Sequence, residues 1–87
     1  MNYAFFIGID VSKNTLDFAV SEGKELLLQT TIPNELPAIR EFWNQLKTIK
    51  GFCQEKTIFC MEHTGIYNQN MLSFLYSNVD MGMYRNC

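Results

Sequence analysis

Residues 5–17 read FFIGIDVSKNTLD, and the fold follows from how this stretch is built. The apolar run from Ala4 to Ile9 predicts a strand over about residues 3–10 that is buried on both faces. A polar turn follows, and then apolar and polar residues alternate over about residues 15–21. The stretch therefore predicts two strands joined by a short turn.

The first of these strands ends in a single acid, Asp10. A carboxylate at the end of a buried strand is costly unless something compensates its charge, and a metal ion is a common way to do so. The alternative is an acid that begins the turn and accepts hydrogen bonds from its amides. The pattern alone leaves both interpretations open.

Residues 57–67 read TIFCMEHTGIY and repeat this design. A short apolar strand over about residues 57–62 ends in Glu62, and a helix is predicted over about residues 66–77. If the two strands are neighbours in one sheet, both carboxylates lie at the same edge, where open α/β sheets place their sites.

Together, GIDVSKNTLD at 8–17 and MEHTGIY at 61–67 resemble the two N-terminal motifs of the DEDD transposases, recombinases of the insertion-sequence-110 type. The resemblance covers most of the chain and weakens after about Leu75. It implies a RuvC-like catalytic domain that acts on DNA in transposition and recombination. Such a domain performs phosphoryl transfer with two divalent metals about 4 Å apart.

The resemblance supplies four acids in the order Asp, Glu, Asp, Asp. Asp10 matches the first and Glu62 the second, so both are candidate catalytic residues and ligands for Mg²⁺ or Mn²⁺. Asp80 comes too early to be the third and is expected to be an ordinary loop acid. The family also carries a C-terminal domain with a nucleophilic serine, uses a structured guide RNA, and is expected to form homo-oligomers.

Several side chains near the two motifs are candidates for supporting roles. Asp17 either flanks the metal site or is a surface acid, and Lys13 either meets a phosphate or is a solvated turn residue. Tyr67, expected in the first turn of the second helix, either packs or contacts nucleic acid. His63 follows Glu62 along the strand and is therefore expected to point away from the site rather than to bind metal. The supporting candidates are Ser12, Lys13, Asp17, Thr64 and Tyr67.

Between the motifs, the pattern predicts a tight turn at 22–24, a third strand over about 25–32 and an amphipathic helix. Asn34 is the predicted N-cap of this helix, and Gly51 is predicted to end it. The resulting order is β-β-β-α-β-α-(β), which indicates an α/β fold with a ribonuclease H-like mixed sheet, incomplete at the C-terminus.

The apolar stripe of this helix includes Phe42 and Trp43. Exposed aromatic residues can form a stacking platform for nucleic-acid bases. The stripe is continuous and flanked by charges, however, which favours packing in the core.

Composition limits the classes of protein that fit. With 87 residues, 47% hydrophobic and 18% charged, the chain is expected to form one small globular domain. No stretch reaches the roughly 18 apolar residues of a membrane span, and no secretory leader is evident. Three cysteines without a CxxC pair favour a reducing cytoplasm over a disulfide framework or zinc site. The net charge of −2 indicates either a partner other than nucleic acid or basic surfaces on further chain.

The last residues depart from the family pattern, in which a strand rich in Val and Ile follows the second helix. Residues 79–84 form either a fifth short strand or no fold at all. We expect a truncation or a shifted reading frame over residues 79–87, with a poorly ordered tail, and a chain that is inactive by itself.

Two other classes remain open. One is a catalytically inactive remnant or interaction fragment, whose uncovered apolar sheet would favour association. The other is part of an ATPase of the actin and sugar-kinase type, whose opening strands share this topology. Phosphate-binding turns usually contain glycine, and residues 11–14 contain none.

Overall fold

The computed structural model describes residues 4–61, 66–78 and 84–86. Within these residues the chain forms five strands and two helices, in the order that the sequence predicts. They are β1 (Phe5–Val11), β2 (Thr15–Glu22), β3 (Glu25–Pro33), α1 (Leu36–Leu46), β4 (Thr57–Met61), α2 (Gln69–Asn78) and β5 (Tyr84–Asn86), with a 3₁₀ turn at Gln54–Lys56 before β4.

The strands form one mixed sheet in the order β3-β2-β1-β4-β5. β1 pairs antiparallel with β2, and β2 with β3, as expected for strands joined by short turns. β1 also pairs parallel with β4, and β4 with β5. The two motif strands are therefore neighbours in one sheet, which is the condition for their carboxyl ends to lie at the same edge. Gly23 makes the β2–β3 turn possible because its φ of +60° is one that glycine readily adopts.

Both helices share one hydrophobic core with one face of the sheet. Phe18 and Phe42 stack with ring centroids 4.0 Å apart, and Trp43 contacts the rings of Phe59 and Phe74 at 5.8 and 5.6 Å. All five side chains are buried. The prediction that Phe42 and Trp43 pack in the core is therefore confirmed.

The prediction that β1, the first motif strand, is buried on both faces is wrong. Its residues alternate, with Ile7 and Ile9 buried in the core, Phe6 47% exposed and Asp10 exposed. The core cluster lies on one side of β1, so alternate side chains point away from it. β4, in contrast, is buried at all five positions.

Three helix boundaries differ from the predictions. The N-cap of α1 is Glu35, without a side-chain cap bond, and not Asn34. The helix ends at Leu46 because Thr48 and Ile49 form tighter three-residue hydrogen bonds beyond it. α2 begins at Gln69, so residues 66 and 67 lie in a turn before it.

Cysteine pairing also differs from expectation. Cys60 is disulfide-bonded, whereas Cys53 is a free thiol. The spacing of cysteines along a sequence does not show which thiols a fold brings within bonding distance, so the sequence does not predict this bond. Neither helix in the described part of the chain is long and apolar enough to cross a membrane. The fifth strand lies at Tyr84–Asn86, while most of the predicted span lies outside the described residues.

Candidate functional site

A shallow groove of about 530 Å³ lies on the face of the sheet opposite the helices. It is centred on the carboxyl end of β1 and the facing part of β2. We call it the acid groove, and its lining includes Gly8, Asp10, Asp17, Ala19, Gln29 and Cys60.

Two acids face each other in this groove. Asp10 and Asp17 are partners in the antiparallel β1–β2 register, and both are exposed. Like charges directly opposite each other in a sheet destabilise it unless a cation or hydrogen bonds compensate. Thr31, the partner of Asp17 on β3, donates a hydrogen bond from its Oγ1 to Asp17 Oδ1. Asp17 is therefore held in place by a neighbouring strand.

Asp10 differs from Asp17 in its contacts. Among residues 4–61, 66–78 and 84–86, no side chain or backbone group donates a hydrogen bond to the Asp10 carboxylate. Beside it, a Cβ built on Gly8 would meet nothing within 4 Å, so the space above β1 is open. The Asp10 carboxylate is thus accessible to a ligand.

The β1–β4 pairing places Met61, the first residue of the second motif, beside β1. Ile9 is the parallel partner of Met61. These two residues immediately precede Asp10 and Glu62 in the sequence. Glu62 itself, with His63, Thr64 and Gly65, lies outside the described residues, as does Asp80.

The chemistry of the groove suits a hard divalent cation. Mg²⁺ is usually bound by one or two carboxylates and keeps several waters, and Asp10 and Asp17 supply carboxylate oxygens on one face. Within the described ranges, no cluster of three or more His, Cys, Asp or Glu residues forms a metal site. The described residues therefore offer two carboxylates and open space rather than a closed metal cage.

The other candidates near the first motif are placed in its turn. The Ser12 hydroxyl donates to the Thr15 carbonyl at 3.1 Å and is 2.7 Å from the Thr15 hydroxyl, so it stabilises the turn. Lys13 is exposed in the same turn. Tyr67 is 43% exposed, and its backbone carbonyl accepts a hydrogen bond from Asn34 Nδ2 at 3.1 Å.

Two residues of this region were missed by the sequence analysis. The sequence places Thr31 in the third strand, and only the observed register shows that it is the partner of Asp17. The sequence predicts Asn34 to be a helix cap, but its amide donates instead to the carbonyls of Ser12 and Tyr67. An asparagine just after a strand and before a helix was the available signal, and it did not reveal the distant partners.

Comparison with known proteins gives a likeness of fold. No protein-family model matches the sequence, and no curated protein matches it. A solved structure from Bacteroides thetaiotaomicron, described as a protein with an actin-like ATPase fold and unknown function, matches 98% of this chain with a TM-score of 0.65 and 16% identity. The chain spans about a third of that structure, 35% of its length. The likeness shows a similar α/β fold.

Proposed function

We propose that the chain is part of a ribonuclease H-like, RuvC-like domain that carries out metal-dependent phosphoryl transfer on DNA, as in a transposase. Asp10 and Glu62 are the proposed catalytic acids and metal ligands. They match the first two of the four acids that the transposase resemblance implies.

One observation carries this proposal. The parallel register pairs Ile9 with Met61, and each is followed in sequence by an acid. Adjacent parallel strands bring corresponding residues about 5 Å apart. Asp10 is exposed at this point, on the open face of the sheet. If β4 continues in register by one residue, Glu62 joins Asp10 at the same edge.

Side chains of the acid groove would bind and orient a Mg²⁺ or Mn²⁺ ion. Asp10 would bind the ion directly, and Asp17, held by Thr31, would add negative charge or hold a metal-bound water. When bound, the ion would stabilise the negative charge that develops on phosphate oxygens during transfer. Gly8 leaves room beside Asp10 for a phosphate group.

A second candidate function is supported by the structural comparison. The similar structure from Bacteroides thetaiotaomicron is described as an actin-like ATPase fold. A domain of this type would bind a nucleotide phosphate with a divalent cation at the same sheet edge. The turn after Asp10 has no glycine at residues 11–14, which weighs against close contact between its backbone and phosphates. A third possibility is that the chain is a remnant that binds neither ligand.

Amide NMR of the ¹⁵N-labelled chain distinguishes these functions. We expect a branched DNA junction with Mg²⁺ to shift the signals of Gly8, Asp10 and Asp17, and MgATP to leave them unchanged. Asp10→Asn should abolish the DNA-induced shifts because it removes a metal ligand. Glu41→Gln is the matched control, since it removes one charge from an exposed position on α1.

The NMR results distinguish the three candidate functions. Shifts with MgATP and none with DNA would contradict the transposase proposal and support the actin-like one. Shifts with neither ligand would support the remnant. Shifts with DNA that persist in Asp10→Asn would show that DNA binds without the proposed metal site.

A further inference from the structure

Asn34, in the connection from β3 to α1, forms hydrogen bonds with three other parts of the chain. Its side-chain Nδ2 donates to the Ser12 carbonyl at 3.0 Å and to the Tyr67 carbonyl at 3.1 Å. Its backbone N–H donates to the Asn14 carbonyl at 2.9 Å, and its own carbonyl accepts from Asn70 Nδ2 at 3.0 Å. This half-buried residue thus joins the β1–β2 turn to the segment that begins α2.

The two carbonyls bound by the Asn34 amide belong to the segments that carry the two motifs. Ser12 follows Asp10 by two residues, and Tyr67 follows Glu62 by five. Because β1 and β4 are parallel neighbours, both segments leave the sheet at the same edge. A single amide therefore links them with both of its N–H groups.

We propose that Asn34 is a positioning residue that fixes the separation between the turn after Asp10 and the segment after Glu62. This inference rests on the proposed function, because the separation matters only if the two acids share a metal. A neutral amide is the group suited to this place, since two nearby carbonyls need two donors. A carboxylate here would offer no donor and would repel both carbonyls.

The test compares Asn34→Asp with Asn44→Asp. Both variants replace an amide with a carboxylate, and Asn44 is exposed on α1. Mn²⁺ affinity is measured from the paramagnetic broadening of the Gly8 and Asp10 amide signals. The added charge alone would raise cation affinity, so a decrease reports lost positioning. We expect Asn34→Asp to bind Mn²⁺ about 10-fold more weakly than Asn44→Asp.

Amide hydrogen exchange in the same samples reports the coupling itself. We expect Asn34→Asp to accelerate exchange at Thr15, the first residue of β2, whose N–H bonds to Ser12 in the turn, and at Leu72 of α2, whose N–H bonds to the Asn68 carbonyl just before that helix. Exchange at the buried Ile7 should stay as in Asn44→Asp. If Asn34→Asp does not fold, Asn34→Ala and Asn44→Ala replace the pair.

Equal Mn²⁺ affinity in the two variants would overturn the positioning role and leave the metal site intact. Absence of broadening in the unmodified chain would overturn the proposed function, and with it the positioning role. Exchange that accelerates in one segment alone, or in neither, would show that Asn34 does not couple the two motifs.

Discussion

Asp10 and Asp17 lie directly opposite each other in the antiparallel pairing of β1 and β2, with both carboxylates on the exposed face of the sheet. Two like charges at such positions oppose pairing of the strands. Thr31 donates a hydrogen bond to Asp17, and Asp10 has no donor among the described residues. Local conflicts of this kind are expected at functional sites.

Asp10→Asn should therefore stabilise the metal-free chain. Removing one of two facing charges is expected to raise the free energy of unfolding by up to about 1 kcal/mol. With excess Mn²⁺ the order should reverse, because the unmodified chain gains stability from binding. Urea unfolding with a chelator and then with Mn²⁺ measures both effects. Lower stability of Asp10→Asn in the chelator would contradict the repulsion.

The aromatic core should dominate stability. Phe42→Ala removes the ring that stacks on Phe18, and we expect it to cost about 3–5 kcal/mol. Phe6→Ala makes the same change at a position 47% exposed, and it should cost less than about 1 kcal/mol. Urea unfolding of the two variants measures the loss in the free energy of unfolding that each change causes. Similar losses in both variants would show that the face of β1 carrying Phe6 is packed as tightly as the core.

The outer strand is a predicted site of self-association. β3 is an edge strand, and its Leu26 is 55% exposed. Exposed apolar residues on an unpaired edge favour pairing with another chain. Leu26→Lys should lower the average mass measured by sedimentation at high protein concentration. Gln29→Lys adds the same charge on β3 while keeping Leu26, so an equal decrease there would assign the effect to charge alone.

Stability should decline at alkaline pH through Tyr84. Burial raises the pKa of the Tyr84 hydroxyl above its ordinary value of 10.0, and the nearby Tyr76 adds to the effect. The folded chain then holds this proton more tightly than the unfolded chain, so the contribution is present below pH 10.0 and is lost as pH rises through the raised value. The hydroxyl also donates to the Met61 carbonyl at 3.2 Å.

Tyr84→Phe tests this contribution. At about pH 8 the variant should be less stable by at most about 1 kcal/mol, because it lacks the bond to Met61. This difference in the free energy of unfolding should narrow or invert by about pH 11, where only the unmodified chain must ionise a partly buried hydroxyl. Urea unfolding of both chains across this pH range measures the difference in their free energies of unfolding. A difference that does not change with pH would contradict the role of Tyr84.

Much of the fold could be predicted because local signals agree with the tertiary structure. The alternation of β2 and the glycine turn at Gly23 define the hairpin, and the stripe of α1 identifies Phe42 and Trp43 as core residues. The apolar character of residues 57–61 identifies the second motif strand, and the structure pairs this strand in parallel with β1. These features depend on residues close in sequence or on burial.

The details of the acid groove depend on long-range geometry. Continuing the β2–β3 register from Glu22 and Glu25 would place Thr30 opposite Asp17. An irregularity between Val20 and Ser21 shifts the register by one, so Thr31 becomes the partner. A one-residue shift cannot be read from alternation in β3, because threonine occupies both positions. The hydrogen bonds from Asn34 to Ser12 and Tyr67 could not be predicted either, because they join residues that are 22 and 33 positions apart in the sequence.

We propose that Asp10 and Glu62 share one divalent ion. The most direct test is a Mn²⁺ titration of the ¹⁵N-labelled chain, compared with Asp10→Asn, Glu62→Gln and the control Glu41→Gln. We expect broadening centred on Gly8 and Asp10, with a Mn²⁺ affinity that is about 10-fold or more weaker in each motif variant and unchanged in the control. Broadening that is unchanged in Glu62→Gln, or absent from the unmodified chain, would contradict the proposal.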